Sequence, residues 1–251
     1  MFFWGIVRGR AATRKGQRAG ASDRPFNVLS IQPSIAEPFQ VKIAGAIVAG
    51  GSASRMGGAE KPLLPLGGTP LFDALLPRLR RQVDAIALNV RPQARARYRA
   101  WEDQGIPMLT DPYHGAVGPL GGVVAGLTWL ATLGREYAWL ATFPGDAPFL
   151  PDDLVERLTG AIPSGETPQP VVAFDGARIQ SLCALWPRNC LGRLRQGIAT
   201  ENFRSVQRAL DALGCIACFI DDRASFLNIN TPDDLAEAER LYRRAGDGLP
   251  A

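Results

Sequence analysis

The chain has 251 residues, 46% of them hydrophobic and 21% charged, with 27 Gly and 20 Pro, a balance that excludes pervasive disorder and collagen-like repeats. Its net charge of +4 is local, because residues 1–24 hold Arg8, Arg10, Arg14, Lys15, Arg18 and Arg24 against Asp23 alone. The remainder is slightly acidic, offers no broad cationic face for duplex phosphates, and argues against a nucleic-acid partner.

In chain order, the apolar start at Phe2, Phe3, Trp4, Ile6 and Val7 precedes its charges, the reverse of an export signal. Residues 1–40 read as a basic extension expected to be disordered, residues 41–245 as one domain, and residues 246–251 as a C-terminal tail. From residue 41 onward, short apolar runs alternate with amphipathic stretches, the pattern of a mostly parallel sheet with helices on its faces. Strands are expected at about 41–49, 85–90, 106–110, 137–143, 170–174, 180–186, 215–220 and 225–229. Thr69-Pro70 predicts an N-cap and a first helical proline, followed by Leu71, Leu75 and Leu79 on one face. Pro151-Asp152-Asp153 and Thr231-Pro232-Asp233-Asp234 predict two further helix starts with carboxylates at the positive end of the dipole. Residues 115–134 carry no charge, but they hold six Gly and a Pro after the turn Asp111-Pro112-Tyr113-His114-Gly115. A buried helix is expected there, not a membrane span.

Three segments carry chemistry. The first strand runs into Gly50-Gly51-Ser52-Ala53-Ser54-Arg55-Met56-Gly57-Gly58-Ala59-Glu60-Lys61. Four glycines that can turn N–H groups toward one point, with two cations, suit phosphate; the bland alternative is a flexible turn. The spelling fits neither a Walker loop, since Pro62 follows Lys61, nor a G-x-G-x-x-G fingerprint. Asp146, in Phe143-Pro144-Gly145-Asp146-Ala147-Pro148-Phe149, follows an apolar strand at the edge where open α/β sheets place ligands. It reads either as a hard ligand for Mg²⁺ bridging phosphates or as a turn residue capping the helix at 151. The third segment, Asp111 through Gly118-Pro119-Leu120-Gly121-Gly122, lets a ligand approach backbone beyond a strand end. His114 is the sole histidine, so a His-rich metal site is excluded.

Taken together, Val48-Ala49-Gly50-Gly51, Arg55-Met56-Gly57-Gly58, Lys61, Asp111, Gly118-Pro119-Leu120-Gly121-Gly122, Pro144-Gly145-Asp146-Ala147-Pro148-Phe149 and Asn228-Ile229-Asn230-Thr231-Pro232 resemble the bacterial molybdenum cofactor guanylyltransferase family. The resemblance covers residues 41–245. It implies a Rossmann-like nucleotidyltransferase fold, three layers around one mostly parallel mixed sheet. It implies transfer of GMP from Mg·GTP to the terminal phosphate of Mo-molybdopterin, with release of pyrophosphate. It also implies transient contact with molybdenum-insertion proteins and molybdoenzyme chaperones; independently of it, the cysteine usage and the lack of an export signal set a reducing cytoplasm as the default location, and no membrane partner is expected. Carried over residue by residue, it has Val48, Ala49, Gly50 and Gly51 meeting the nucleotide, Lys61 its phosphates, Asn89 and Asp111 contacting GTP, Asp146 holding Mg²⁺, and Asn230 a polar site position that could equally be a turn residue. Arg55 joins Lys61 and Asp146 in compensating charge at the reacting phosphate.

The chain departs from the family pattern at Val48, where Leu is usual, at Glu60, where Asp precedes the Lys, and at Gly145, where Cys is common. The pterin side matches only loosely, through Arg178-Ile179-Gln180-Ser181-Leu182. The competing readings are the cytidylyltransferase of the same pathway, a sugar-phosphate nucleotidyltransferase, and a regulatory nucleotide-binding module without catalysis. Gly50-Gly51 resembles the guanylyl branch, since a small residue leaves room beside a purine. Cys215 and Cys218, with Cys183 and Cys190 upstream, could form a metal or redox site. Their apolar, strand-like setting instead favours burial on alternate faces, and four cysteines without regular spacing make no disulfide scaffold.

Overall fold

The computed structural model describes residues 28–29, 41–49, 60–165 and 167–246. Among the described residues ten strands and seven α-helices succeed one another as β1 (Val28–Leu29), β2 (Lys42–Val48), β3 (Pro65–Leu66), β4 (Thr69–Pro70), α1 (Leu71–Arg80), β5 (Ala85–Asn89), α2 (Arg99–Glu102), β6 (Met108–Leu109), α3 (Pro119–Leu130), β7 (Tyr137–Pro144), α4 (Leu154–Gly160), β8 (Val171–Phe174), β9 (Ile179–Pro187), α5 (Cys190–Ala199), α6 (Val206–Leu213), β10 (Ile216–Phe219) and α7 (Pro232–Gly246). Eight strands form one sheet in the order β1-β10-β8-β9-β7-β2-β5-β6. All neighbours are parallel except β9, which runs antiparallel to both β7 and β8. β1 lies within the segment that the sequence sets apart as an extension, and its two residues pair with Ala217 and Cys218 on the outer edge.

Strand alternation builds two cores. Ile47 of β2 and Trp139, Ala141 and Phe143 of β7 face one side, packed with Phe72, Leu75 and Leu79 of α1, Trp101 of α2 and Leu154 and Leu158 of α4. Ala44, Ala46 and Leu140 face the other, with Leu120, Val123 and Leu127 of α3, Leu194 of α5 and Leu210 of α6. Each central strand is therefore covered on both faces, which explains its near-continuous apolar spelling. The uncharged stretch forms the short buried helix α3, and among the described residues no helix is long and apolar enough to cross a membrane. Gly126 allows α3 to sit close on the sheet, since a Cβ there would lie 2.8 Å from Leu140 and 2.9 Å from Ala46.

Three local expectations are corrected. Pro70 is the cap of α1 and not its first helical residue, because Thr69 and Pro70 pair with Leu66 and Pro65 in an antiparallel hairpin turned by Gly67 and Gly68 at φ +62° and +85°. Thr69 hydroxyl donates to Leu66 carbonyl instead of capping the helix. Residues 225–229 do not form a strand: Arg223–Phe226 is a 3₁₀ turn in which the Asp222 carboxylate accepts from Ser225 N, and Ile229 N donates to Asp146 O at 2.9 Å instead of to a sheet neighbour. The helix predicted after Pro151 begins at Leu154, with Asp152 paired to Arg78 and Asp153 to Arg157.

Within the second core, the Trp186 indole donates to Thr142 hydroxyl at 3.0 Å, and both residues are fully buried. Thr142→Val keeps the shape but leaves that N–H unpaired. It should lower the unfolding free energy by about 1–3 kcal/mol in urea titration at unchanged m value.

Candidate active site

The parallel strands end together at one edge, and the segments that leave them carry the site. Val48 closes β2 opposite Asn89 of β5 and Pro144 of β7. Its carbonyl accepts from Gly145 N at 3.1 Å, and the next amide, Ala49 N, donates to Asn89 O at 2.9 Å. The end of β2 thus divides the edge into two halves.

On the β7 side, Lys61 Nζ donates to Asp146 Oδ2 at 2.8 Å and to Asn230 Oδ1 at 2.5 Å. The first two come from segments 85 residues apart, and Asn230 lies on the loop before α7. That loop is fixed by reciprocal capping: Asn230 N and Thr231 N donate to Asp234 Oδ2 at 2.9 and 2.8 Å, and Asp234 N donates to Thr231 Oγ1 at 3.2 Å. Burial alone would raise the Asp234 pKa. Hydrogen bonds from Asn230 and Thr231, with the nearby Lys61 charge, bring it below the usual carboxylate value. Lys61 and Asp146 keep 21% and 20% side-chain exposure, enough for a ligand to reach both.

On the β5 side lies a concavity lined by Val48, Asn89, Arg91, Asp111, His114 and Gly118, with their neighbours. Asn89 is buried, and its side chain donates to Leu109 O at 3.3 Å. The Asp111 carboxylate accepts from Tyr113 N and Gly115 N, each at 2.7 Å, drawing the loop round itself. His114 and Gly115 take left-handed backbone at φ 51° and 85°. The glycine pair at the start of α3 is required by close approach. A Cβ on Gly121 would lie 2.0 Å from Asp111 Oδ1, and one on Gly122 would lie 2.6 Å from Asn89 Oδ1 and 2.7 Å from Val48 Cγ1.

The two halves are joined again behind Lys61. Glu60, buried, pairs with Arg91, and Tyr98 hydroxyl lies 3.5 Å from Glu60 Oε2. Burial, then the Glu60 charge, pushes the Tyr98 phenol well above its ordinary value, so it stays protonated.

The structure therefore gathers Lys61, Asp146 and Asn230 into one cluster and places Val48, Asn89 and Asp111 around the adjoining concavity, with Ala49 between them. Asp146 does not cap the helix after residue 151, whose N-cap is Asp153. Gly50, Gly51 and Arg55 lie outside the described residues. Arg91 and Glu60 were not singled out as site residues from the sequence. Arg91 lies two positions beyond Asn89 and Glu60 directly precedes Lys61, so their placement at strand and loop ends was the available signal. Cys183 lies near Asp146, but burial, and secondarily the Asp146 charge, pushes its thiol far up. Cys190 and Cys215 are each pushed up by burial to about 11. Cys215 packs against one core and Cys218 within the other. All four thiols are free and none is activated as a thiolate.

Such an arrangement can hold a flat group in the concavity and a polyanion over Lys61 and Asp146. Residues 45–213 match the model of the MobA-like NTP transferase domain. The chain belongs to that family. It is a nucleotidyltransferase. It is 38% identical to a protein of Mesorhizobium japonicum named molybdenum cofactor guanylyltransferase, over 80% of this chain and 96% of that one. A protein of the same name from Rhodopseudomonas palustris is also 38% identical, over 79% and 93%. The fold matches molybdopterin-guanine dinucleotide biosynthesis protein A from Archaeoglobus fulgidus, with TM-score 0.62 and 20% identity over 80% of this chain and 99% of that one. It also matches 4-diphosphocytidyl-2C-methyl-D-erythritol synthase from Anaerococcus prevotii, with TM-score 0.60 and 15% identity over 82% and 97%.

The close packing at α3 yields a prediction. Gly122→Ala forces Asn89 and Val48 apart and should destabilise the fold by about 1–3 kcal/mol. In nucleotide titrations it should weaken binding while leaving the Lys61–Asp146 contact in place.

Proposed function

We propose that this chain transfers GMP from Mg·GTP to the terminal phosphate of Mo-molybdopterin, forming the guanine dinucleotide cofactor and pyrophosphate. The observation that carries the reading is the meeting of Lys61, Asp146 and Asn230 beside a concavity bounded by Asn89 and Asp111. The names of the curated relatives support the pathway and the nucleotide.

The chemistry asks little of the protein in proton transfer. An oxygen of the acceptor phosphate, already an anion, forms a bond to the α-phosphorus of GTP as the α–β bridging bond breaks, and the electron pair leaves with pyrophosphate. The protein must hold the two anions together and offset the charge that grows on the leaving group. Lys61 supplies a cation fixed by two oxygen acceptors, so its ammonium is placed before the triphosphate arrives. Asn230 sets the Lys61 direction, and the capping of α7 by Asp234 and Thr231 sets Asn230.

Asp146 fits Mg²⁺ as the residue that would hold it. Among the described residues no group of three His, Cys, Asp or Glu gathers into a cage. The donor set is thus one accessible carboxylate, suited to a hard cation that draws its other oxygens from phosphates and water. Bound there, Mg²⁺ supplies charge neutralisation for the phosphate oxygens.

Asp146→Asn keeps the size of the side chain but removes its charge. In a pyrophosphate-release assay with GTP and pterin acceptor it should depress turnover by about 10²-fold or more, with Mg²⁺-free GTP binding retained. Lys61→Ala should weaken GTP binding as well as rate, because its cation meets the phosphates in the ground state. Unchanged turnover of Asp146→Asn at limiting Mg²⁺ would remove Asp146 from the metal site. Equal or tighter binding of CTP by the unaltered protein would replace the guanylyl reading with a cytidylyl one.

A further inference from the structure

Arg91 follows β5 by two residues and lines the concavity beside Val48, Asn89, Asp111 and Gly118. Its guanidinium engages Glu60 Oε1 through Nη2 alone, and the Glu60 side chain is only 5% exposed. Arg91 Nε is sealed from solvent with no hydrogen-bond partner, alone in this respect among the side-chain nitrogens and oxygens of the described residues. A buried donor left unmade is destabilising, so the pairing with Glu60 does not exhaust what this guanidinium can bind. Glu60 fixes its position and balances its charge while leaving Nε unpaired.

The chemistry of the concavity is divided. Arg91 brings donors only, and the Asp111 carboxylate brings acceptors only. Each oxygen of Asp111 takes one backbone N–H and retains a further lone pair. Guanine has the complementary division: adjacent acceptors O6 and N7 on one edge, and N1–H with the 2-amino group on another. Adenine and cytosine put an exocyclic amine where guanine has O6. An arginine fork presents two coplanar N–H groups in fixed register with the O6/N7 pair, whereas a lysine ammonium already drawn to a carboxylate meets it as a point charge.

We propose that Arg91 is a specificity-determining residue for the base, its guanidinium turning Nε–H and a free N–H of the neighbouring amino group onto N7 and O6 of guanine while Glu60 keeps its one bond to Nη2. The proposal rests on the guanylyl reading and deepens it. The pairing of Arg91 with the buried Glu60 also couples base recognition to the phosphate half, because Glu60 is bonded in sequence to Lys61. A purine seated against Arg91 therefore bears on the same backbone that places the catalytic cation.

The test is equilibrium binding on the full chain with GTP, 7-deaza-GTP, ATP and CTP, for the unaltered protein and for Arg91→Lys. The lysine keeps a cation for Glu60 but loses the fork. 7-Deaza-GTP, which replaces N7 with C–H, should bind the unaltered protein about tenfold or more weakly than GTP. In Arg91→Lys the GTP and 7-deaza-GTP affinities should converge and the preference over ATP should shrink by about tenfold, with ATP affinity itself nearly unchanged. Equal affinity of the unaltered protein for GTP and 7-deaza-GTP overturns the proposal even if Arg91→Lys fails to fold. So does an Arg91→Lys protein that keeps the full GTP-over-ATP ratio, which would leave Arg91 only the counterion of Glu60. A protein that binds CTP as well as GTP before any substitution overturns the guanylyl reading itself, a result separable from the other two.

Discussion

The register of β2 against its two parallel neighbours is the constraint on which the carboxyl edge depends. Val48 stands opposite Asn89 on one side and Pro144 on the other, so three chain segments leave the sheet at one level. From that level Gly145 N reaches back to Val48 O and Ala49 N to Asn89 O. A slip of one residue would send every side chain of β2 to the opposite core. It would also separate Asp146 from Lys61. The two cores, filled by Ile47 on one face and by Ala44 and Ala46 on the other, forbid that slip. The packing of the sheet and the geometry of the site are thus one problem with one solution.

Charge is arranged economically at this edge. Lys61 and Asp146 neutralise one another, and under the proposed function a triphosphate with a divalent cation would offer each a new partner of opposite sign. Both stay partly exposed, so their exchange of partners does not strand a charge in a dry interior. Glu60 and Arg91 make the contrasting pair: Glu60 is buried, its partner is held on one side only, and Tyr98 stays protonated beside it. One pair is partly exposed on both sides and the other is anchored on a buried carboxylate, which under the proposed function would separate the half of the site where bonds change from the half that recognises.

Much of this was legible in the sequence because the signals were backbone signals. Apolar runs of strand length between amphipathic stretches gave the layers, and the Asp146 turn could be placed by its position after an apolar strand. The sequence reads Gly121-Gly122 as small residues that let a ligand approach backbone; in the structure the side chains of Asp111 and Asn89 are what lie close to them. The failures have local causes. Thr69-Pro70 carries a strong helix-start spelling, yet the Gly67-Gly68 turn commits those residues to a hairpin first. Residues 225–229 are apolar enough for a strand, but Asp222 captures Ser225 N and Ile229 is tied to Asp146. Arg91 was missed because its partner Glu60 is 31 residues away, and an ion pair across that distance leaves no periodicity to read.

The proposed function requires one nucleotide to span both halves, its base in the concavity at Asn89, Arg91 and Asp111 and its phosphates over Lys61 and Asp146. Crystals of the complex with GTP and Mn²⁺ in place of Mg²⁺ test it directly through the anomalous scattering of the metal. The expected result is a manganese peak within coordination distance of an Asp146 oxygen, shared with the phosphates, and guanine seated against Asp111 and Arg91. A manganese peak remote from Asp146, or a base bound on the other side of Val48, would contradict it.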